Sequence, residues 1–124
     1  MLLIRLHTLE ALFQEHGKPD MHYCFAQARG MSAPTNQALL MVNEQQVLLL
    51  FISKLQNKVV QKLVFDKNEL SDSHLTAGML LDDCWTFNGR NQRWSFRIPR
   101  RILTLGTLQK GFLDYLRDSP FILR

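Results

Sequence analysis

Trp85-Thr86-Phe87-Asn88-Gly89-Arg90-Asn91-Gln92-Arg93-Trp94-Ser95-Phe96 is the stretch whose reading decides the fold. Trp85-Thr86-Phe87 and Trp94-Ser95-Phe96 each alternate large apolar with small polar residues, the period of a half-buried strand. Asn88-Gly89 between them is a dipeptide favoured by two-residue primed hairpin turns, which need positive φ at both central positions. A turn there sets Phe87 opposite Arg90, Trp85 opposite Gln92, Asp83 opposite Trp94 and Leu81 opposite Phe96. A four-residue loop sets Trp85 opposite Trp94 instead. Both registers keep Leu81, Trp85, Phe87, Trp94, Phe96 and Ile98 on one face, whereas a three-residue loop without a bulge splits them. That aromatic face is the core face. The other carries Asp82, Cys84, Arg93, Ser95 and Arg97, with Asp82 in reach of Arg93 or Arg97.

Beyond the hairpin, Pro99 ends the ladder because it has no N–H to donate. Thr104 then reads as the N-cap of a helix over 104–117, with Leu103 and Leu108 as its hydrophobic staple. Leu105, Leu108, Phe112, Tyr115 and Leu116 form its apolar stripe, and Ser119-Pro120 stops it. Gly111 costs about 1 kcal/mol relative to alanine in a helix interior and predicts a close approach of helix to sheet.

Upstream, Leu2, Leu6, Leu9 and Phe13 recur at helical spacing, giving an amphipathic amino-terminal helix over residues 1–17 that Gly17 and Pro19 terminate. Its stripe packs on the domain that follows, 21–124, or docks a second copy or another protein. Tyr23, Phe25 and Gln27 alternate with Cys24, Ala26 and Ala28 in a first strand. Ala38 to Val42 follows, then a turn at Asn43-Glu44. Val47-Leu48-Leu49-Leu50-Phe51-Ile52 is too short for a buried helix and has no polar face, which suits a central strand covered on both sides, here beneath the amino-terminal helix. Val59, Leu63 and Phe65 point one way in the next strand while Lys58 and Lys62 point the other. Asp66 to Ser73 reads as a loop, and Leu75 to Leu81 as a short strand through Gly78.

The order of about seven short strands and a closing amphipathic helix, over roughly Met21 to Asp118, resembles the pleckstrin-homology-like fold and particularly its small bacterial relatives. The resemblance implies a mainly β chain with flanking helices. Two antiparallel sheets would form a bent, partly open barrel, its strands near 22–29, 37–42, 46–53, 58–66, 75–80, 83–88 and 92–98, plugged by the helix 104–117. The basic motif with which eukaryotic members grip phosphoinositides has no counterpart between Tyr23 and Val42. Leu105 to Leu116 also lacks the tryptophan that many members carry in the closing helix. The resemblance therefore extends to fold and not to lipid binding.

Several function classes lack their residues. The two cysteines, Cys24 and Cys84, form neither a disulfide framework nor a Cys-x-x-Cys pair and fit a reduced, cytoplasmic protein. Arg5, His7 and Glu10 interrupt the start where a signal peptide needs an apolar run, and no stretch approaches the ~20 apolar residues of a membrane span. His7, His16, His22 and His74 are scattered without metal-ligand spacing, so no metal or cofactor is expected. Asp82 and Asp83 point to opposite faces of a strand and cannot act as a carboxylate dyad. No nucleophile elbow, phosphate-binding loop or dinucleotide fingerprint is present.

Charge supplies the candidate site. The formal net charge is +4, and residues 84–124 hold eight Arg or Lys against Asp114 and Asp118, which concentrates it in the closing unit. Arg90, Arg93, Arg97, Arg100 and Arg101 form a series, with Arg93 and Arg97 roughly 13 Å apart on one strand face at the usual rise per residue. Forked guanidinium groups so placed can hold phosphates or an acidic partner. Three functions follow: a non-catalytic module binding a protein partner or a second copy, along a sheet edge or through the Leu2–Phe13 helix; anion binding, to acidic lipid headgroups or nucleic acid, through the arginine face; and a small enzyme using Cys84, whose thiol nearby positive charge would activate.

Overall fold

A computed structural model describes residues 5–29, 33–53, 58–78 and 81–122. Helix α1 (Leu6–His16) precedes seven strands: β1 (His22–Ala28), β2 (Gln37–Val42), β3 (Gln46–Ile52), β4 (Val59–Asp66), β5 (Ser71–Ala77), β6 (Asp82–Gly89) and β7 (Gln92–Pro99). Helix α2 (Leu108–Arg117) closes the chain. The strands are hydrogen-bonded antiparallel in the order β4-β3-β2-β1-β7-β6-β5, as a pleckstrin-homology-like barrel requires. β1 pairs with β2 from His22 to Gln27 but meets β7 only at Gln27 and Ala28. That short seam joins a four-stranded half to a three-stranded half.

Sequence pattern dictates how each half is covered. In β3, Val47, Leu49 and Phe51 join the barrel interior with Phe65, Trp85, Phe87, Trp94 and Phe96. Its intervening Leu48 and Leu50 join a second cluster outside the sheet, with Met41, Leu39, Phe25 and Leu9 of α1. The unbroken apolar run is thus buried on both faces, with α1 on the outer one, as its composition predicts. Phe112, Leu113 and Leu116 of α2 enter the interior cluster. Both tryptophans are core residues, Trp85 fully buried and Trp94 nearly so.

The hairpin keeps its expected faces but shifts its turn. Phe87 lies opposite Trp94, Trp85 opposite Phe96 and Gly89 opposite Gln92, so the turn residues are Arg90 and Asn91, with φ of 51° and 61°. Asn88 and Gly89 belong to β6 because Gly89 sits against Phe65, where an added Cβ would come within 3.0 Å of the ring. Leu81, expected in the core, precedes β6 and is 78% exposed.

The connection into α2 also departs from the sequence reading. A short 3-10 turn, Leu103–Leu105, precedes the helix, Gly106 takes a φ of 58°, and Thr107 rather than Thr104 is the N-cap. Leu103 is 85% exposed and forms no staple. Gly111 marks no close approach, for a Cβ there would meet nothing within 4 Å.

Two strands differ as well. β5 starts at Ser71 and ends before Gly78, with a 3-10 turn at Lys67–Glu69 where a loop was expected. In β4, a bulge displaces Val59, which packs in the outer cluster with Val64 while Leu63 and Phe65 face inward. Leu2 and Leu3 of the amino-terminal stripe, and the expected strand positions Met79 and Leu80, lie outside the described residues.

Candidate interaction surface

Strands β5, β6 and β7 place the arginine series on and around their outer face, where the period-2 alternation leaves polar side chains. Arg93 donates to the Asp72 carboxylate at 3.0 Å, the Asp72 carbonyl at 3.0 Å, Asn88 Oδ1 at 3.1 Å and Thr86 Oγ1 at 2.9 Å. Asp72 sits at a bulge with a φ of 50°, a left-handed conformation that aspartate tolerates better than most residues. His74 Nε2 lies 2.7 Å from its other oxygen. The hydrogen bond to His74 and the Arg93 guanidinium hold the Asp72 carboxyl below its usual range.

Arg97 takes Asp82 as its partner, Nε to Oδ2 at 2.7 Å. The N–H is not directed at that oxygen, so the buried Nε has no hydrogen-bond acceptor. Arg90, at the hairpin tip, lies 4.4 Å above the Phe65 ring, contacts Glu69 and donates to the Val64 carbonyl. Arg100 leaves this face altogether. With Arg117 it clamps Asp83, at 2.9 and 2.7 Å. Arg101 is exposed. The series is therefore not a single field: one arginine faces solvent and the other four each hold a carboxylate.

Cys84 lies opposite Arg97 on β7 and opposite Thr76 on β5, half-buried, with Ser95 Oγ 3.6 Å from its sulfur. His74 is two residue pairs along, opposite Thr86. Cys24 is wholly enclosed, and burial pushes its thiol well above the ordinary range. Among the described residues no group of His, Cys, Asp and Glu is arranged to hold a metal, and no helix is long and apolar enough to cross a membrane.

The two ends of the sheet differ sharply. The Ser53 N–H to Lys58 carbonyl and Lys67 N–H to Gln45 carbonyl bonds fix the hydrogen-bond phase of β4. Given that phase, the even-numbered residues from Lys62 to Asp66 turn their N–H and C=O groups to the free edge. Two of those groups are answered: Arg90 takes the Val64 carbonyl and Glu69 accepts the Asp66 N–H at 2.8 Å. Lys62 and the bulge beside Val59 complete the blunting, both devices that keep an edge from pairing.

In β5 the Gly78 N–H bonds the Asp82 carbonyl, so Ser73, Leu75 and Ala77 direct their backbone groups outward. Among the described residues nothing is bonded to those groups, and Leu75 and Ala77 lie open to an added strand, whereas Ser73 is only 4% exposed. From Ser73 to Ala77 the edge carries no lysine, proline or acid.

Two polar anchors escaped the sequence reading. Continuing the β1–β7 register past Gln27–Arg97 would put Phe25 opposite Pro99, but proline cannot donate to the Phe25 carbonyl. The fully buried Gln109 of α2 fills the gap. Its Oε1 accepts the Phe25 N–H, and its Nε2 donates to both the Phe25 and Pro99 carbonyls, each at 2.8 Å. A glutamine inside an otherwise apolar stripe was the available signal. Asp83, on the core face at the start of β6 and 2% exposed, is the second, and its place among inward-facing positions was legible as a buried acid in need of partners.

Among solved structures, this chain is similar to the hSac2 domain from the human phosphoinositide phosphatase Sac2, with a TM-score of 0.55 and 9% sequence identity, covering 90% of this chain and 76% of that one. At that identity the likeness is one of fold. No protein-family model matches the chain, and no curated protein matches it.

Proposed function

We propose that this protein is a non-catalytic protein-binding module that takes an extended segment of a partner as an added strand along β5. The observation that carries the reading is the contrast between the edges: β4 has two of its outward backbone groups capped by Arg90 and Glu69 and a bulge beside Val59, while Leu75 and Ala77 of β5 turn theirs outward with nothing bonded to them among the described residues. Main-chain hydrogen bonds along such an edge supply affinity, and alternate side chains supply selectivity. The alternative through the amino-terminal helix is less supported, because Leu9 is fully buried against the chain's own sheet.

Selection of a displayed peptide library on the full chain tests this. Bound peptides should slow hydrogen exchange at the amides of Leu75 and Ala77 and leave the β4 edge unchanged. Selected peptides that protect other amides, or a selection that yields none, would overturn it.

A second reading is anion binding, to acidic lipid headgroups or nucleic acid, through Arg90, Arg93, Arg97, Arg100 and Arg101. Exposed Arg101 supports it, as do the four paired guanidiniums, which remain between 39 and 45% exposed. Retention on anionic vesicles or nucleic acid should then fall steeply with salt and drop on Arg93→Ala/Arg97→Ala. Retention equal to that of the unmodified chain sinks this reading. The attribution to small bacterial pleckstrin-homology-like proteins and a cytoplasmic location belongs with these proposals, as does the third reading, an enzyme using Cys84, which predicts fast selective alkylation of that thiol at neutral pH.

A further inference from the structure

We infer that the cleft beside the β6–β7 hairpin tip binds a soluble phosphomonoester through its phosphate group. That assignment rests on the second reading, anion binding, and narrows it to two of the five arginines; it is independent of the β5 edge. The cleft has a volume of about 470 Å³, within the range of small-molecule sites. Three segments meet in it. Ser71 opens β5 opposite Asn88 of β6, Gln92 and Arg93 begin β7, and Arg90 stands in the turn beside Glu69.

Hydrogen bonding in the cleft is unbalanced toward donors. The Glu69 carboxylate is engaged on both oxygens, by the Asp66 N–H and by Arg90 Nε. Asn88 Oδ1 accepts from Arg93, and the Gly89 carbonyl accepts from Trp94 Nε1. Donors are left over. Arg90 directs Nε to Glu69 and Nη2 to the Val64 carbonyl, so its Nη1 has no acceptor among the described residues. The Asn88 N–H₂ group and the Ser71 hydroxyl have none there either. Gln92 Nε2 is buried without an acceptor, a costly state for a donor, and turning that amide into the cleft breaks no bond of its N–H groups.

The guanidinium groups are set in place before a ligand arrives. Arg90 lies 4.4 Å above the Phe65 ring, and Arg93 is held by Asp72, Asn88 and Thr86. Both remain partly open to solvent, so little side-chain ordering is needed on binding. Asp72 balances Arg93 from outside the lining. Recognition therefore depends on directed hydrogen bonds rather than a broad positive field. A phosphomonoester offers three acceptor oxygens, one toward each of the three segments, whereas a carboxylate offers two in one plane. The polar remainder of the lining suits a hydroxylated body such as a sugar.

Titration of the isotope-labelled full chain with ribose 5-phosphate, ribose and ribonate, followed by magnetic resonance, tests the inference. Two indoles report. Trp94 Nε1 bonds the Gly89 carbonyl at the tip, and Trp85 Nε1 bonds Ser73 Oγ, so ribose 5-phosphate should move the first resonance and leave the second. Its dissociation constant should lie below about 1 mM and at least about tenfold below that of ribonate, and ribose should not bind. Arg90→Lys keeps the charge but loses the fork, and should weaken binding about tenfold, as the loss of one bond to a charged group does. Should that variant misfold, Ser71→Ala, on an exposed residue, should act in the same direction. Arg97→Ala and Arg101→Ala lie outside the lining and should change nothing.

A Trp94 resonance unmoved by ribose 5-phosphate to about 10 mM overturns the inference, as does ribonate bound equally well or equal weakening by Arg97→Ala. Vesicles bearing phosphatidic acid should not retain the chain; retention that ribose 5-phosphate displaces would put the phosphate on a lipid headgroup and overturn the soluble ligand. If nucleic acid or anionic vesicles retain a chain that ignores ribose 5-phosphate, the second reading stands and only the cleft is removed.

Discussion

On its outer side the β1–β4 half of the sheet is roofed: Leu48, Leu50, Leu39 and Met41 lie beneath α1 and the chain around Leu105, all at most 4% exposed. The β5–β7 half is bare on that side. Thr76, Thr86, Cys84, Ser95, Arg93 and Arg97 occupy the equivalent positions there, with Asp72 and Asp82 answering the two arginines. Both halves share one interior, so the difference lies in the second side chain of each alternating pair. Where that residue is leucine a helix has to cover it, and where it is a threonine or a paired arginine water suffices.

The largest expected effect breaks the roof. Leu9→Ala should cost about 2–5 kcal/mol in denaturant unfolding, the range for emptying a buried leucine site. A cost under about 1 kcal/mol would mean that α1 adds little to the covered half. Next comes the seam, where Gln109→Leu strands the Phe25 N–H and two carbonyls. It should cost about 3 kcal/mol, three groups each at the low end of the roughly 1–3 kcal/mol for a buried polar group left unpaired. An unchanged midpoint would show that β1 and β7 close on each other without the amide. The smallest effect sharpens the contrast. Arg93→Ala/Arg97→Ala on the bare half should shift stability by less than about 1 kcal/mol, as exposed ion pairs do, and a larger loss would mark that face as structural.

Residues with strict alternation carried most of what could be read without coordinates. Trp85, Phe87, Trp94 and Phe96 fixed the inward face, because the two registers that keep them together differ from the observed one by even steps. The turn itself was misplaced because Asn88-Gly89 carries the stronger local preference, and only Phe65, distant in sequence, makes the glycine necessary in the strand. The displaced Val59 reflects a pairing shift against β3, which no local pattern announces.

The arginine series was legible as charge but not as chemistry. Strand parity placed Asp82 on the face shared by Arg93 and Arg97 without choosing between them, whereas the capture of Arg100 by Asp83 depends on how the chain turns after Pro99. The β5 edge was hidden for a related reason. Ser71 to Ser73 is polar and carries a bulge, and a strand with one exposed edge and one exposed face has little apolar pattern to show.

Gln109 also bears on the order in which the molecule can assemble. It joins residue 109 to Phe25 across 84 positions of sequence, and loops of that span close slowly relative to hairpins. During synthesis the five pairings between consecutive strands can form as each hairpin emerges, but the β1–β7 seam has no donor for the Phe25 carbonyl until α2 leaves the ribosome. The proline that opens the seam thus makes completion of the barrel wait for Gln109, 84 positions after Phe25.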